Sequence, residues 1–241
     1  MAHDLYYSPN RPKDGLLTIA GPEARHISRV MRHEVGSVIG VVDGAGAEYE
    51  IELAGVKPGR VEGRVLTSRT GAREPKHRVA LAQAVLKGDH LAQVCAQATE
   101  LGVSRVIPFH SERTVGRLSA AKLERLRGVS LAALKSSTRT LLPTIDPEVE
   151  LGRLLPVAGK FDQVLVAYEE ETGPGLERVL KRDAESILIV IGPEGGFEPA
   201  EIDALKAAGA ATFSLGPRRL RAETAAVAVS AMTLGLLGDL G

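Results

Sequence analysis

The pattern of apolar and polar positions changes near residue 70 of the chain. Up to about residue 70 the apolar runs are short, and the clearest two, Val38–Val42 and 48–53, flank the sequence Asp43-Gly44-Ala45-Gly46. Two strand-like runs on either side of a short Asp-Gly turn predict a β-hairpin. Residues 61–67 are a further strand candidate, so this part of the chain is predicted to be a small β-domain.

One helix is predicted within this β-rich part. It begins at Pro22, because proline is favoured in the first turn of a helix. Three apolar side chains share one face at helical spacing: Ile27, Val30 and Met31. The opposite face is basic and carries Arg25, Arg29 and Arg32.

Beyond the polar segment 69–75, strand-like and helix-like patterns alternate. Strands are predicted at 79–86, 103–108, Gln163–Ala167, 187–191 and 211–215. Helices are predicted at 90–101, 120–134, 174–181, 199–208 and 223–237, and the first of them is predicted to be capped by Asp89 and to end at Gly102. This alternation favours an α/β fold with a largely parallel sheet covered by helices on both faces. The last helix is small and apolar almost all round, which predicts burial in the core or in a subunit interface.

The composition narrows the class of protein. Hydrophobic residues make up 44% of the chain and 30 basic residues balance 30 acidic ones, which is typical of a folded protein. Cys95 is the only cysteine, so neither a disulfide framework nor a cysteine zinc cluster is expected, and a reducing cytoplasmic location fits. No histidine spacing is typical of a metal site, so no metal is expected. Neither a signal peptide nor a membrane-spanning segment is predicted.

Charge is distributed unevenly despite the zero total. Residues 112–139 contain seven basic and two acidic side chains, whereas residues 146–171 contain seven acidic and two basic ones. Such asymmetry permits a local basic surface that could bind nucleic acid. It is equally compatible with two solvated faces of no functional meaning, and the sequence leaves both interpretations open.

Two loops carry candidate chemistry. The apolar run 187–191 leads into Gly192-Pro193-Glu194-Gly195-Gly196, where glycines let a ligand approach the backbone closely. The second loop, 215–221, contains Arg218, Arg219 and Arg221 and precedes a helix that starts with Glu223 and Thr224. Arginines at a strand end can bind an anionic or enolate-like oxygen. Taken singly, each loop could also be an ordinary turn or a solvated helix start.

Together the two loops resemble the C-terminal core of the SPOUT superfamily of methyltransferases. The closer resemblance is to the RsmE family, the 16S ribosomal RNA uridine-N3 methyltransferases, because residues 191–197 and 215–225 match its hallmark stretches. Segments 87–89, 100–103 and 111–113 resemble the family's central motifs, and segments 26–32 and 43–46 resemble its N-terminal domain. The resemblance therefore covers nearly the whole chain.

The resemblance implies a fold and a cofactor. It implies a PUA-like, RNA-binding β-barrel domain over 1–72 and a SPOUT-type domain with a C-terminal trefoil knot over 73–241. It further implies a homodimer that binds S-adenosylmethionine and acts on 16S ribosomal RNA of the small subunit. The cofactor-binding residues that it implies are Ala167, Gly192, Glu194, Gly195, Gly196, Leu215, Gly216, Leu220 and Thr224.

The implied reaction transfers the cofactor's methyl group to N3 of a uridine, and it needs no metal. Arg221, with Arg218, is predicted to stabilise the charge that spreads onto O2 and O4 as N3 loses its proton. Glu223 is a candidate proton acceptor or a residue that orients an arginine. The residues predicted to contact RNA phosphates are Arg25, Arg29, Arg32, Arg113 and Arg139.

The chain departs from the family pattern at several positions. Gln97 stands where members usually carry lysine and Arg219 where they carry isoleucine. Segment 135–139 keeps only the arginine of the family's motif, and Leu5-Tyr6-Tyr7 replaces an Arg-x-Phe-like segment. Two alternatives therefore remain: a related SPOUT enzyme acting on a ribose 2′-hydroxyl or another base, and a non-catalytic RNA-binding factor. The presence of both loops argues against lost catalysis.

Overall fold

The computed structural model describes residues 5–240, which form two compact units. The first contains residues 5–74 together with 134–142, and the second contains residues 75–133 and 143–240. The sequence predicted a single change of domain after residue 72 and did not predict that segment 134–142 belongs with the first unit.

The first unit is built on a five-stranded sheet in the order β1-β3-β4-β5-β2. Its strands are β1 (Leu5–Tyr7), β2 (Leu16–Ala20), β3 (Val38–Val42), β4 (Ala47–Lys57) and β5 (Arg60–Thr70). Only the pairing of β1 with β3 is parallel among these neighbours. The predicted hairpin is confirmed, because Val42 pairs with Glu48 across the Asp-Gly turn. This antiparallel β unit agrees with the predicted β-domain.

The predicted helix of this unit is present but divided. Its first turn, α1 (Gly21–Arg25), contains Pro22, and it continues as a π-helical turn over His26–Val30. Ala24 and Ile27 are buried against the sheet. Wide turns of this kind are rare and occur often at functional sites.

The second unit contains a parallel sheet in the order β12-β10-β11-β6-β7-β8, with β9 pairing to β7. Its strands are β6 (Arg78–Ala84), β7 (Arg105–His110), β8 (Thr144–Ile145), β9 (Val149–Glu150), β10 (Gln163–Ala167), β11 (Ser186–Ile191) and β12 (Ala211–Phe213). Its helices are α2 (His90–Leu101), α3 (Ala120–Ser136), α4 (Leu151–Ala158), α5 (Leu176–Val179), α6 (Pro199–Ala207) and α7 (Ala222–Leu237). The predicted parallel sheet is confirmed, whereas the implied knot stays a prediction.

Helices cover both faces of this sheet, as the sequence predicted. Along β6, Val79 and Leu81 belong to an apolar cluster that includes residues of α2 and α7. The alternate residues, Ala80 and Ala82, belong to a second cluster with residues of α4 and α6. Successive side chains of a strand point to opposite faces, so the sheet lies between two cores. A strand buried on both faces explains the unbroken apolar runs in the sequence.

The start of α2 differs from the expected cap. The sequence placed Asp89 as a capping side chain, but its carboxylate makes no capping bond and instead accepts hydrogen bonds from Arg125. The end of the helix is as predicted, because Gly102 adopts a left-handed conformation at φ 113°.

The last helix, α7, is only half buried within the chain. Its core face includes Ala226, Val229 and Leu234, which belong to the same apolar cluster as α2. Met232 on the other side is 42% exposed. Burial against the core is thus confirmed for one face of the predicted apolar helix. Neither α7 nor any other helix within residues 5–240 has the length and apolar character needed to cross a membrane.

Candidate functional site

Three strands end at the same level on one edge of the parallel sheet. Ala167 at the end of β10 lies in register with Ile191 of β11 on one side and with Phe213 of β12 on the other. The glycine loop (residues 192–197) and the arginine loop (residues 214–221) therefore leave the sheet side by side, flanking the chain that follows Ala167. This edge is where ligands bind in open α/β sheets.

The glycine loop needs glycine for close contacts. A side chain on Gly192 would lie 2.9 Å from the ring of Phe197, which is buried and stacks on Phe109. Gly196 has φ 74°, and a Cβ there would collide with the carboxylate of Glu169. Both positions exclude larger residues, whereas Glu194 and Gly195 between them are exposed. The loop is thus a tightly packed turn whose central backbone faces outward.

Arg113, three residues after the end of β7, holds the glycine loop through hydrogen bonds. Its Nε donates to Oε1 of Glu198 at 2.7 Å and its Nη1 donates to the carbonyl oxygen of Gly195 at 3.0 Å. The hydrogen bond to Glu198 raises the pKa of the guanidinium above its ordinary value. The sequence placed Arg113 among RNA contacts, but the structure uses two of its donors to hold the glycine loop.

Two further residues, which the sequence did not select, touch the glycine loop. Gln83 at the end of β6 is fully buried, and its Nε2 donates to the carbonyl oxygen of Gly192 at 3.3 Å. The backbone amide of Lys87 donates to Oε1 of Glu194 at 2.9 Å. The loop between β6 and α2 therefore adjoins the glycine loop. The sequence signal for Lys87 was its motif with Gly88 and Asp89, while a lone glutamine in a strand gives none.

The arginine loop is open to solvent. Arg218, Arg219 and Leu220 are exposed, and the side chain of Arg221 is 81% exposed. Its Nη1 lies 3.9 Å from Oε1 of Glu223, which is 15% exposed in the first turn of α7. The arginines predicted to act on the substrate are therefore free to meet a ligand, and Glu223 is held behind Arg221.

The residues predicted to bind the cofactor lie on these neighbouring loops. Gly216 has φ 91° and open space where a Cβ would lie, so its backbone can be approached closely. Leu215 is partly exposed and Leu220 is 36% exposed, which gives apolar surface beside the polar backbone. Thr224 is exposed in the first turn of α7. Apolar side chains combined with reachable backbone polar groups fit an adenine-containing ligand, and the individual cofactor contacts stay predictions.

The five arginines predicted to contact RNA fall into different environments. Arg25 and Arg29 are exposed on the helical segment of the first unit, and Arg32 is exposed just beyond its end. Arg139 is only 3% exposed, and its Nε and Nη2 donate to Oε2 of Glu74 at 3.1 and 2.6 Å. Because a phosphate contact needs an accessible guanidinium, we remove Arg139 from the predicted RNA-binding set.

The basic stretch 112–139 does not form an unneutralised surface. Six of its seven basic residues have a carboxylate partner within 4.0 Å, and Arg117, for instance, contacts both Glu148 and Glu150 from the acidic stretch. This pairing favours the interpretation of the basic stretch as a solvated face whose charges are locally paired. Within residues 5–240, no cluster of three or more potential ligands could hold a metal ion.

Comparison with protein families agrees with this geometry. Residues 72–234 match the model of an RNA methyltransferase domain, and residues 19–66 match that of an RNA methyltransferase PUA domain. The fold and the family model therefore define an RNA methyltransferase with a PUA domain.

Individual relatives are more specific. The chain is 34% identical to ribosomal RNA small subunit methyltransferase E of Bacillus subtilis over 92% of each chain. It is 32% identical to the protein of that name from Mycobacterium bovis, covering 98% of this chain and 91% of the relative. The crystal structure of ribosomal RNA small subunit methyltransferase E from Neisseria gonorrhoeae bound to S-adenosylmethionine is 26% identical, with a TM-score of 0.87 and 98% of each chain covered. A putative methyltransferase from Legionella pneumophila with bound cofactor is 27% identical, with the same TM-score and coverage. The chain belongs to the RsmE family of ribosomal RNA small subunit methyltransferases.

Proposed function

We propose that this protein transfers a methyl group from S-adenosylmethionine to N3 of a uridine in the 16S ribosomal RNA of the small subunit. The observation that carries the proposal is the exposed arginine loop beside the glycine loop, in a chain whose structural relatives of almost equal length bind this cofactor. The name shared by the curated relatives supports small-subunit RNA as the substrate.

In this proposal the cofactor lies across the edge formed by the ends of β10, β11 and β12. Gly192, Glu194, Gly195 and Gly196 offer backbone groups from one side, and Leu215, Gly216, Leu220 and Thr224 enclose it from the other, with Ala167 between them. Bound S-adenosylmethionine supplies a methyl group already activated by its positive sulfur. The protein's main task is therefore to align the nucleophile with that group.

The second task concerns the uridine. N3 carries a proton, and losing it spreads negative charge onto O2 and O4 of the ring. In this proposal Arg221, with Arg218, donates hydrogen bonds to that charge, and the exposure of both side chains supports it. Preorganised donors of this kind lower the free energy of a charged transition state.

One assay tests this function against its alternatives. Small ribosomal subunits that lack the modification are incubated with the protein and methyl-labelled cofactor, and the product is mapped by reverse transcription. Methylation at N3 removes a base-pairing donor and should stop extension at one uridine. A 2′-O-methyl product leaves base pairing intact, and absence of label would indicate a binding factor; either result contradicts the proposal.

We further propose that the protein acts in the cytoplasm as a homodimer. The face of α7 away from the core carries Ala228, Ala231 and Met232 at helical spacing, all of them at least partly exposed, and this apolar face supports an interface there. Light scattering after size exclusion should give twice the mass of one chain, and Met232→Glu should shift the population toward monomer. A wild-type monomer at micromolar concentration would contradict the homodimer.

A further inference from the structure

A histidine, a glutamate and an arginine meet where α2 and α7 begin. Nδ1 of His90 lies 3.5 Å from Oε1 of Glu223, and the same carboxylate oxygen lies 3.9 Å from Nη1 of Arg221. Glu223 is 15% exposed, whereas the side chain of His90 is 43% exposed. The carboxylate thus sits behind an accessible imidazole and an accessible guanidinium.

This cluster lies between the two loops of the site. Three residues before His90, the amide of Lys87 is hydrogen-bonded to Glu194 of the glycine loop. His90 itself faces Glu223, two residues beyond the arginine loop. The first turn of α2 therefore spans from the loop proposed to hold the cofactor to the loop proposed to meet the uridine.

The neighbours of His90 determine which ring nitrogen carries the proton. Nδ1 faces two acceptors, Oε1 of Glu223 at 3.5 Å and Oε1 of Gln93 at 3.4 Å. A neutral imidazole that donates from Nδ1 has its lone pair on Nε2. Within residues 5–240 Nε2 has no hydrogen-bond partner, so this nitrogen can accept a proton from a ligand.

Glu223 is the carboxylate that orients this ring. The adjacent Asp89 is engaged elsewhere, because both of its carboxylate oxygens accept hydrogen bonds from Arg125. A distance of 3.5 Å is long for a hydrogen bond, but such bonds in catalytic sites often shorten when substrate binds. A base oriented by a third group is the arrangement of known catalytic dyads and triads.

We propose that His90 is the catalytic base of the methyl transfer, with Glu223 as its positioning residue. This inference rests on the proposed function. Nε2 of His90 takes the proton of uridine N3, and the electron pair left on N3 forms the bond to the methyl carbon. The bond between that carbon and sulfur breaks, its electron pair stays on sulfur, and the histidinium later releases the proton to water. Arg221 meanwhile stabilises the charge on the uridine oxygens.

The test compares His90→Gln with a matched control, His77→Gln. Nδ1 of His77 lies 2.8 Å from Oδ2 of Asp239, and His77 precedes β6 at the end of the parallel strands opposite the two loops, so the control removes a histidine with a carboxylate neighbour away from the site. His90→Gln should lower kcat by about 10²–10⁴-fold, the usual contribution of a general base. Cofactor affinity by calorimetry and the melting temperature should stay at wild-type values. An unchanged kcat would overturn the assignment.

A substrate with a more acidic N3–H distinguishes a catalytic role of His90 as a base from a purely structural role. RNA transcribed with 5-fluorouridine carries a more acidic N3–H, so it depends less on a base. The ratio of wild-type to His90→Gln rates should therefore shrink on this RNA, while the corresponding ratio for Arg221→Ala should not shrink as much. An equal ratio on both RNAs would mean that His90 acts only through structure, and the proposal would fail.

A second readout does not depend on turnover. Nitrogen-15 NMR of the histidine-labelled protein, assigned by difference with His90→Gln, should show the proton of His90 on Nδ1, with that preference lost in Glu223→Ala. A proton on Nε2 would overturn the proposal. Failure of the proposed function itself would look different, because wild-type protein would then give no N3 methylation on either RNA.

Discussion

Among single residues, Arg113 shows how tertiary contacts reassign a role that residue type suggests. Arginine in a basic stretch is an obvious phosphate ligand, yet this side chain connects the end of β7 to Gly195 and Glu198 of the glycine loop. Arginine can do this because its planar donors reach two acceptors at once. Its neighbour in sequence, Arg117, pairs with Glu148 and Glu150 instead.

We predict that Arg113→Ala weakens cofactor binding more than RNA binding. Losing the Arg113 side chain leaves the carbonyl of Gly195 without its donor and loosens the glycine loop, so the cofactor Kd should rise by roughly 10-fold. Isothermal calorimetry with S-adenosylmethionine measures this, and Arg117→Ala serves as the matched control. A variant that binds the cofactor normally but loses RNA affinity would restore the role suggested by sequence.

Arg221 has the opposite environment, since its side chain is largely exposed. We predict that Arg221→Ala lowers kcat by about 10²–10³-fold, the usual effect of removing one donor to a developing oxyanion. Cofactor and RNA affinities should change little. Arg182→Ala is the control, because Arg182 is an exposed arginine that precedes β11 at the other end of the strand. Full turnover in Arg221→Ala would remove this residue from the mechanism.

At the scale of elements, the divided helix of the first unit carries the clearest basic surface. Arg25 and Arg29 are exposed on it, and Arg32 is exposed two residues beyond its end, where it has φ 55°, an uncommon value for a residue with a side chain. The π-helical turn over His26–Val30 is a further irregularity of the same segment. Irregular backbone in an exposed basic helix agrees with a role in binding.

We predict that the double change Arg29→Glu and Arg32→Glu weakens RNA binding in a salt-dependent way. Each lost phosphate contact should reduce the slope of log K against log salt by about 0.7–0.9. Filter binding with small-subunit RNA across a salt series measures the slope, and cofactor affinity is the control. A parallel slope and unchanged affinity would exclude this helix from the interface.

The local sequence pattern does not predict to which unit the end of α3 and the segment after it belong. Residues 134–142, which comprise the last turn of α3 and the segment after it, belong to the first unit although the helix begins in the second. Glu74 holds this segment, accepting hydrogen bonds from the backbone amides of Thr140 and Leu141 and from the side chain of Arg139. These partners are about 65 residues apart in sequence, so only folding brings them together.

At the scale of the whole molecule, the rate at which the single cysteine is alkylated measures how often the folded core opens. Cys95 on α2 is fully buried, and burial raises the pKa of its thiol to about 12. At pH 8 the thiol is therefore protonated in the folded protein, and its reaction with iodoacetamide requires opening of the core.

We predict slow alkylation of Cys95 in the native protein and rapid alkylation in denaturant. S-adenosylmethionine at about 100 times its Kd should add about 2.7 kcal/mol of stability and slow native labelling by roughly 100-fold, because ligand binds only the folded state. Mass spectrometry over time measures both rates. Native labelling as fast as that of a free thiol, or labelling indifferent to the cofactor, would contradict the buried thiol and the cofactor linkage respectively.

Local sequence determined much of this protein. Mostly apolar runs predicted β6 and β11, the Asp-Gly turn predicted the hairpin of β3 and β4, and Gly102 predicted the end of α2, because each signal acts over a few neighbouring residues. The two loop motifs also identified the family without tertiary information. Short elements were missed where local signals conflict: α4 contains Pro156 within its eight residues.

Only the tertiary structure decided which partners the charged side chains contact. Six of the seven basic side chains in 112–139 pair with carboxylates, some more than 60 residues away in sequence. Arg139 is buried in its ion pair, and Arg113 holds the glycine loop. Charge pairing depends on distances of a few ångströms between remote segments, which composition does not encode. For the same reason His90 had no signal in the sequence: its proposed role arises only because α2 and α7 begin side by side.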